Sequence, residues 1–360
     1  MIKAAIVGCG KIADEHASLL AGLPGCSIVG VCDREELMAR QLAERYGVGR
    51  HFIDVGAMLE TVRPEVVHIT TPPQSHFPIG VMCLESGAHV FMEKPFTVNT
   101  QEAERIIELA QRRNRRITVG HNHQFSHESV EMRELVKAGF LGGSPIHMES
   151  YFPYSLQDRY GQALLGDKDH WVRALPGKLL HNVISHGICK IAEYWPDSSP
   201  EIIAVGFTSP FLRSAGQDDI IDELRVVMHS TDRTTTAYFT FSSQISPKMF
   251  QFRLYGPENS LFIDHNQRIM IQLKKTDTLK SYLNHVIAPR TLAKQYLGNA
   301  RRNIARFARN DFHVDHGRRQ LVQKFYEAIR KEGPDPIPYR EIVLTARIMD
   351  GIFEQTGTTV

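Results

Sequence analysis

Short apolar segments alternate with helix-like segments over the first 120 residues, and this alternation restricts the fold more than any other feature of the chain. The apolar runs are continuous, which is typical of parallel strands buried on both faces. The predicted strands are Ile2–Val7, Ser27–Cys32, Val66–Thr70, Ala88–Met92 and Arg116–Val119. The predicted helices between them are Lys11–Leu20, Glu35–Tyr46, His76–Glu85 and Thr100–Arg113. This order predicts an α/β fold built on an open, doubly wound parallel sheet.

The pattern changes after residue 122, where strand-like segments follow one another with turns between them and no helices. Such an order predicts a second domain with an antiparallel sheet. Its predicted strands are Glu201–Thr208, Leu224–Ser230, Thr234–Ser242, Met249–Tyr255 and Ser260–Ile263. Its predicted helices are Val130–Ala138, a long helix ending near Trp195, and the closing pair His316–Lys331 and Arg340–Glu354. We therefore predict two domains, residues 1–122 and 123–360.

Composition excludes several classes of protein. The formal net charge is only +2, so no global charge favours nucleic acid as a partner. The five cysteines are scattered without a CxxC pair, which disfavours a zinc ribbon or a disulfide framework and favours the cytoplasm. The first residues lack the apolar core of a signal peptide, and no apolar run reaches the length of a membrane span.

A glycine-rich segment follows the first predicted strand directly. Gly8, Gly10 and Ala13 form the pattern G-x-G-x-x-A, a variant of the dinucleotide fingerprint. The first glycine permits a tight turn, and the second lets the backbone approach a pyrophosphate at the start of the next helix, at Lys11 and Ile12. The triplet alone would equally fit an ordinary glycine-rich turn. The strand before it and the helix after it favour a dinucleotide site.

An acidic residue, Asp33, ends the second predicted strand about 20 residues beyond the loop, where the fingerprint places its ribose-binding acid. A carboxylate there would accept hydrogen bonds from the ribose hydroxyls and repel a 2′-phosphate, which favours NAD. The neighbouring Arg34 could pair with that phosphate, so NADP stays open as an alternative. Arg34 equally fits an exposed position at the start of a helix.

Polar residues collect at the carboxyl ends of the predicted strands, the edge where such sheets bind ligands. The segment TTPPQSH ends at His76, Glu93-Lys94-Pro95 follows the next strand, and Asn122 follows the last. Lys94 would then stand beside the nicotinamide; the alternative is a lysine that only extends its amine into water. The residues predicted to bind the cofactor are Gly8, Gly10, Lys11, Ile12, Asp33, Arg34, Thr71, Pro72, His76, Glu93 and Lys94.

Three segments together resemble the Gfo/Idh/MocA oxidoreductases, the glucose–fructose oxidoreductase and inositol dehydrogenase group. They are AAIVGCGKIADEH, HITTPPQSHF and VFMEKPFTV, and YGPENSLFID extends the resemblance into the second domain. The resemblance implies an N-terminal Rossmann domain and a C-terminal α+β domain with a large, mostly antiparallel sheet. It also implies NAD(P)-dependent oxidation or reduction of a sugar or cyclitol without a metal. It implies that Lys94 is the active-site lysine. It also implies a homodimer or homotetramer.

The family's second catalytic segment usually holds an aspartate and, four residues later, a histidine. Here Asn182 and His186 stand at that spacing, on a helix face different from the apolar stripe of Ile184, Ile188 and Trp195. The alternative for His186 is a solvated or inter-domain polar face. Two departures from the family pattern bear on the substrate: an asparagine cannot supply the aspartate's charge, and GHNHQF has Gln124 where an arginine is often found.

These residues suggest a mechanism for oxidising a secondary alcohol, and its reverse for reducing a ketone. NAD would accept the hydride, Lys94 would stabilise the charge that develops on oxygen, and His186 would exchange the proton. Asn122 and Asn182 would contact substrate hydroxyls together with Lys94 and His186. Two alternatives stay open: the substrate could be a nucleotide-linked sugar, or the chain could be a non-catalytic NAD(P)-binding regulator.

Two further features remain. The histidine-containing segments HNH (121–123) and HVDH (313–316) lack a complete ligand set at a recognisable spacing, so no metal site is predicted. Residues 274–310 are basic, and their apolar residues recur at helical spacing. Such a stretch could contact acidic lipid, an acidic partner or a phosphorylated substrate, and a solvated helix or a subunit contact is the more ordinary interpretation.

Overall fold

The computed structural model describes residues 1–157, 159–275, 281–309, 311–312 and 315–357. The chain divides into two compact units. The first consists of Met1–His121 and Arg319–Asp350, and the second of Asn122–Arg318 and Gly351–Val360. Among the described residues, no helix combines the length and the hydropathy that a membrane span requires.

The first unit is built on a six-stranded sheet in which every strand pair is parallel. Its strands are β1 (Ile2–Val7), β2 (Cys26–Cys32), β3 (His51–Phe52), β4 (Val66–Ile69), β5 (His89–Met92) and β6 (Ile117–Val119). They lie in the order β3-β2-β1-β4-β5-β6, which confirms the predicted doubly wound sheet. The order reverses between β1 and β4, and ligands bind beyond the carboxyl ends of the strands at such a point.

Five helices follow the strands of this sheet: α1 (Lys11–Ala21), α2 (Glu36–Tyr46), α3 (Val55–Val62), α4 (His76–Glu85) and α5 (Thr100–Arg112). The start of α5 shows how the sequence sets a helix boundary. The Asn99 side chain accepts a hydrogen bond from the N–H of Glu102, at 2.8 Å. The Glu102 carboxylate accepts from the N–H of Val98, at 3.3 Å. These two bonds therefore satisfy two of the N–H groups at and just before the start of the helix.

The second unit contains a seven-stranded sheet. Its strands are β7 (His147–Pro153), β8 (Glu201–Phe207), β9 (Glu223–His229), β10 (Thr236–Ser242), β11 (Gln251–Tyr255), β12 (Asn259–Asp264) and β13 (Ile269–Lys274). They lie in the order β13-β12-β11-β7-β10-β9-β8. Only β7 and β10 pair in parallel, so the prediction of a mostly antiparallel sheet is confirmed.

The described helices of the second unit are α6 (His127–Lys137), α7 (Arg159–Gly166), α8 (Lys178–Val183), α9 (Ser185–Tyr194), α10 (Pro210–Ser214) and α11 (Asn284–Ala308). The predicted long helix ending near Trp195 is two helices, α8 and α9, interrupted at Ile184. Helix α9 approaches the sheet closely at Gly187, where a Cβ atom would lie 2.4 Å from the Phe239 ring. A glycine is therefore needed for this packing.

The closing helices, α12 (His316–Lys331) and α13 (Tyr339–Thr356), require a correction to the predicted domain limits. We expected residues 123–360 to form one domain, but Arg319–Asp350 belongs to the first unit. Within that unit Asp335 pairs with Arg116 at 2.7 Å, and Asp350 accepts from the N–H of Thr100 at 2.7 Å. An amphipathic pattern shows that a helix has a buried face, but it does not identify the sheet that buries it.

Candidate functional site

The loop between β1 and α1 has a backbone that only glycine fits at Gly8. Its φ is +93°, a conformation that side chains disfavour. A Cβ atom there would lie 2.7 Å from Cγ2 of Thr71 and 2.8 Å from the carbonyl carbon of Thr70. These short distances show that the glycine loop and the loop after β4 lie against each other. The first glycine of the fingerprint therefore permits both the turn and this close approach.

The second glycine, Gly10, leaves room beside the start of α1. It is the residue that precedes the helix, and no side chain caps the first-turn N–H groups. A Cβ atom on Gly10 would meet nothing within 4 Å. The side chain of Lys11 is exposed, and that of Ile12 is half-buried. Uncapped N–H groups at the positive end of a helix, next to a residue without a side chain, fit a pyrophosphate.

Asp33 lies at the edge of this cradle. Its Oδ2 atom accepts a hydrogen bond from the N–H of Cys9, within the glycine loop, at 2.6 Å. Its Oδ1 atom accepts from the N–H of Glu35 at 3.0 Å. The carboxylate is half-buried, whereas Arg34 is exposed. Each oxygen keeps a free lone pair for a ribose hydroxyl, so the arrangement fits the ribose of a dinucleotide.

The loop after β4 is held by a histidine. The side chain of His76 is buried, and its Nε2 atom lies 2.9 Å from the carbonyl oxygen of Thr71. Its Nδ1 atom lies 2.9 Å from the carbonyl oxygen of Pro95, in the loop after β5. Thr71 is half-buried and Pro72 is exposed beside it. With both nitrogens engaged, His76 can position the two loops but has no ring nitrogen left for a ligand.

The Glu93-Lys94-Pro95 segment directly follows β5, and its Lys94–Pro95 peptide bond is cis. Glu93 is buried, and its Oε2 atom accepts the N–H of Lys94 at 3.0 Å. A Cβ atom on Gly120 would lie 3.0 Å from Oε1 of Glu93, so that glycine makes room for the carboxylate. The buried acid therefore fixes the backbone from which the Lys94 side chain leaves the sheet.

Lys94 lies where its charge is poorly solvated. Its side chain is half-buried. Desolvation nevertheless lowers the pKa of its amine below the ordinary value, and the negative charge of Glu93 opposes this lowering. His121, buried beside the same pair, has its pKa lowered to about 3, mainly by burial; Glu93 opposes this shift and Lys94 adds to it. His121 is therefore neutral at physiological pH, which limits the positive charge near Lys94.

A chain of buried side chains leads away from Glu93 into the first unit. Oε1 of Glu93 lies 2.9 Å from Nε2 of His16, and Nδ1 of His16 lies 2.8 Å from Nδ1 of His68. Nε2 of His68 lies 3.1 Å from the hydroxyl of Tyr326. Burial lowers the pKa of His68 well below its usual value, so this ring is neutral.

One set of proton positions satisfies this whole chain without charging a histidine. Tyr326 donates to His68, His68 donates through Nδ1–H to His16, and His16 donates through Nε2–H to the Glu93 carboxylate. Burial tends to raise the pKa of Glu93, but the hydrogen bonds from His16 and Lys94 and the charge of Lys94 lower it overall. The sequence analysis missed His16, His68 and Tyr326, because no local pattern reveals partners 52 and 258 positions apart.

In the second unit, His186 belongs to a group of rings. It is half-buried on α9, with its ring edge-on to His123 at a centroid distance of 4.7 Å and tilted against Phe152 at 5.7 Å. The other predicted residue of this segment, Asn182, is buried on α8. Nearly every residue of both helices is buried or half-buried, so the face that carries them is not a solvated one.

Four residues near His186 were absent from the predicted site. The ring of His123 lies 5.8 Å from that of His265, whose Nδ1 atom is 2.6 Å from Oε1 of Glu128. Burial lowers the pKa of His265 to about 4, helped by the charge of Lys190 and opposed by Glu128. The Lys190 ammonium, also buried, donates to the hydroxyl of Ser129 at 2.7 Å. This group could not be recognised from the sequence, because with 17 histidines in the chain neighbouring pairs also arise by chance.

Asn122 and Gln124, both singled out in the sequence, form hydrogen bonds within the second unit. Asn122 is buried and donates its amide to Asp315. Gln124 is buried and donates to the carbonyl of Cys189 at 3.2 Å and to Glu193 at 3.3 Å. Gln124 therefore has a structural role in this unit. Asn122 keeps its side-chain carbonyl oxygen and its second amide hydrogen for a substrate.

Within the described part of the chain, no group of three or more histidine, cysteine, aspartate or glutamate side chains is arranged to hold a metal ion. The HVDH segment lies partly outside the described residues, at 313 and 314.

Comparison with known proteins identifies the first unit. Residues 2–121 match the family described as "Oxidoreductase family, NAD-binding Rossmann fold" (GFO_IDH_MocA). The D-glucoside 3-dehydrogenase of Escherichia coli (strain K12) is 34% identical over 142 residues. The inositol 2-dehydrogenase of Salmonella typhimurium (strain LT2) is 28% identical over 144 residues. Each alignment covers 39% of this chain, and the chain spans less than half of these relatives, 40% and 43% respectively.

A solved structure extends the likeness to both units. The WlbA dehydrogenase from Bordetella pertussis, in complex with NADH and UDP-GlcNAcA, aligns with a TM-score of 0.77. The alignment covers 99% of this chain and 95% of that one, at 13% identity, so it shows a shared fold. The match over residues 2–121 shows that this part of the chain is similar to the NAD-binding Rossmann fold of the Gfo/Idh/MocA oxidoreductases.

Proposed function

We propose that this protein transfers a hydride between the nicotinamide of NAD and a secondary alcohol or ketone of a sugar or cyclitol. The observation that carries the proposal is the position of Lys94. A poorly solvated amine follows β5, at the strand-end edge that also holds the uncapped glycine loop and Asp33. The names of the relatives support the substrate class: one oxidises a glucoside and another an inositol.

The cofactor residues follow from the cradle. Gly8, Gly10 and the first-turn N–H groups at Lys11 and Ile12 would bind the pyrophosphate, and Asp33 would bind the adenosine ribose. Arg34 is exposed and could pair with a 2′-phosphate, so NADP is the alternative cofactor. The loops that carry Thr71, Pro72, Glu93 and Lys94 would border the nicotinamide, with His76 holding them together. Bound NAD supplies the hydride acceptor.

Lys94 and His186 are the proposed catalytic pair. The Lys94 ammonium would donate a hydrogen bond to the reacting oxygen and stabilise its developing negative charge, an interaction that strengthens where water is excluded. His186 would take the hydroxyl proton during oxidation and return it during reduction. Asn182, which stands where the family has an aspartate, would bind a hydroxyl and orient His186 without adding charge. Asn122 would accept a hydroxyl through its carbonyl oxygen.

Replacing Lys94 by methionine tests the proposal. We expect turnover to fall about 10²- to 10³-fold, because a preorganised donor to the developing oxyanion is lost. Turnover is measured by NADH absorbance with a panel of glucosides, inositols and UDP-sugars. NAD binding, measured by fluorescence titration, should persist in the variant because the glycine loop is unchanged. An unchanged turnover would refute the role of Lys94, and NAD binding without turnover on any substrate would favour a regulator.

We also propose that the protein is a homodimer or homotetramer in the cytoplasm. All five cysteines lie within the described residues and none forms a disulfide, which fits a reducing compartment. The sheet of the second unit exposes large apolar side chains on β8, β9 and β10, which fits a subunit interface: Ile203, Val205, Phe207, Val227 and Tyr238. Sedimentation equilibrium of the wild type and of Val227→Glu distinguishes an oligomer held by this face from a monomer.

A further inference from the structure

Helix α11 is attached to its unit by polar side chains. The buried Asn299 donates to the carbonyl oxygen of Met270 at 3.0 Å and accepts the N–H of the same residue at 3.3 Å. Gln295 makes the same two contacts with Gln272, at 2.8 and 2.9 Å. Both partners lie on β13, an edge strand of the sheet. Two amides of the helix thus pair with the free backbone groups of the edge strand, as a further strand would.

The opposite side of the same helix is apolar and faces solvent. We call it the outer face of α11, defined as Val286, Tyr296, Leu297, Ile304 and Phe307. Their exposed fractions are 57%, 44%, 61%, 68% and 69%. The spacing between them places all five on one stripe of an α-helix. A surface helix of a globular protein normally turns its apolar side toward the core, and here that arrangement is reversed.

The charges on this helix have one sign. Residues 284–309 contain no aspartate or glutamate. Arg290, Lys294 and Arg301 are exposed and follow one border of the outer face at helical spacing. The apolar stripe therefore has a cationic border over its middle part, from Arg290 to Arg301. Such a surface complements a partner that has an apolar interior and negative charges at its surface.

We propose that the outer face of α11 docks this protein onto an anionic phospholipid surface. The apolar side chains would enter the boundary between headgroups and acyl chains, and the bordering cations would contact the lipid phosphates. A second copy of this chain fits less well, because two such helices face to face would bring cationic borders together. The helix would lie in the plane of the surface, with its polar side still attached to β13.

Vesicle sedimentation of the full chain tests this docking. Vesicles of phosphatidylcholine alone are compared with vesicles that also contain phosphatidylserine. We expect binding only to the anionic vesicles, with a strong decrease at high salt. Reversing the border charges with Arg290→Glu, Lys294→Glu and Arg301→Glu should weaken binding about 10²-fold.

Two further variants make the result specific to α11. Leu297→Gln, Ile304→Gln and Phe307→Gln together should abolish binding while leaving the far-UV circular dichroism and the thermal midpoint unchanged, since all three side chains are exposed. A matched control, Arg112→Glu with Lys324→Glu and Lys331→Glu, changes the net charge equally at exposed positions elsewhere and should bind like the wild type.

Several results would overturn the proposal. They are the absence of wild-type binding to anionic vesicles, an equal loss in the control variant, and binding of polyuridylate RNA in place of vesicles. Sedimentation equilibrium supplies another: if the glutamine variant dissociates an oligomer and the wild type ignores vesicles, the outer face belongs to a second copy.

Discussion

At the scale of single residues, the two glycines of the glycine loop have different structural roles, although they belong to one sequence motif. Gly8 has a positive φ and lies against the loop after β4, so its hydrogen atom is required by the fold. Gly10 has open space where a Cβ atom would stand, so its hydrogen atom is required only when a ligand approaches. We therefore expect folding and cofactor binding to depend on different glycines.

Substitution of Gly10 by alanine should separate these two effects. We expect the free energy of unfolding to stay within about 0.5 kcal/mol of the wild type, because the added methyl group contacts nothing. NAD binding should weaken at least about tenfold, because the methyl group occupies the path of the pyrophosphate. Calorimetric NAD titration and urea unfolding measure the two quantities. The control is Gly49→Ala, because Gly49 also has open space at its Cβ position; this variant should change neither the free energy of unfolding nor the NAD affinity. An unchanged NAD affinity in Gly10→Ala would show that the pyrophosphate binds elsewhere.

The buried chain from Glu93 to Tyr326 gives a second residue-scale prediction. His16→Ala removes the donor to the Glu93 carboxylate and the acceptor for His68 at once. We expect a loss of about 3 kcal/mol in the free energy of unfolding, since a buried charged group and a buried ring nitrogen lose their partners. Urea unfolding measures the loss. Ser18→Ala, on the exposed side of the same helix, should change it by less than about 0.5 kcal/mol. An equally small change in His16→Ala would show that the chain contributes nothing to stability.

At the scale of elements, the sequence predicted the first sheet almost residue by residue and the second only in part. The continuous apolar runs of β1, β4 and β5 leave little choice of boundary, and the glycine pattern and Lys94 were found from the same strand ends. Strand β3 was missed because two residues carry no periodic signal. Strand β7 was missed although it is central to its sheet, because the preceding Gly142, Gly143 and Pro145 suggested a connection.

Helix α11 was predicted only as an apolar pattern, and the direction in which its apolar side faces could not be read from the sequence. That direction depends on β13, a strand that was not predicted, and on amide side chains whose partners are main-chain atoms. Side-chain amides carry no hydrophobic signal, so an attachment through them escapes any analysis of periodicity. Attachment by amides leaves the apolar side of a helix available to another surface.

The attachment of α11 to β13 can be tested at Asn299. Asn299→Ala removes both hydrogen bonds to Met270, and leaves the N–H and carbonyl groups of that residue buried without those partners. It also removes two bonds within the helix, to the carbonyl of Gln295 and from Arg302. We expect a loss of about 2 kcal/mol in local stability, measured as faster hydrogen exchange at the N–H of Met270. The matched control is Asn303→Ala, which removes an exposed bond to the carbonyl of Gln267 and a bond from Arg306 and should have little effect on Met270. Unchanged exchange at Met270 would mean that other contacts hold the helix.

At the scale of the whole molecule, each unit keeps buried histidines neutral beside a buried carboxylate and a buried or poorly solvated lysine. In the first unit this group contains His121, Glu93 and Lys94, and in the second it contains His265, Glu128 and Lys190. Burial tends to raise the pKa of Glu128, but its hydrogen bonds, chiefly the one from His265, lower it to about 2. A histidine held neutral makes the folded state sensitive to acid, because unfolding releases it to bind a proton.

The acid sensitivity of each unit follows from these pKa values. The pKa of His121 is about 3 and that of His265 about 4 in the folded chain, against about 6.5 for an unfolded histidine. At a pH between the folded and unfolded pKa values, the unfolded state binds more protons than the folded state. The contribution of each neutral histidine to the free energy of unfolding is therefore fully present above a pH of about 6.5 and declines as the pH falls below it. Each histidine should contribute a slope of about 1.4 kcal/mol per pH unit.

Urea unfolding across this pH range, followed separately for each unit by hydrogen exchange, measures these slopes. His121→Asn should reduce the slope of the first unit by one proton, and His265→Asn should do the same in the second, because asparagine does not titrate. His285→Asn, at an exposed histidine, should leave both slopes unchanged. A wild-type stability that did not vary between a pH of about 6.5 and about 4 would contradict the neutral state of both histidines. The expected decline follows mainly from burial, so it should persist whether or not NAD is bound to the first unit.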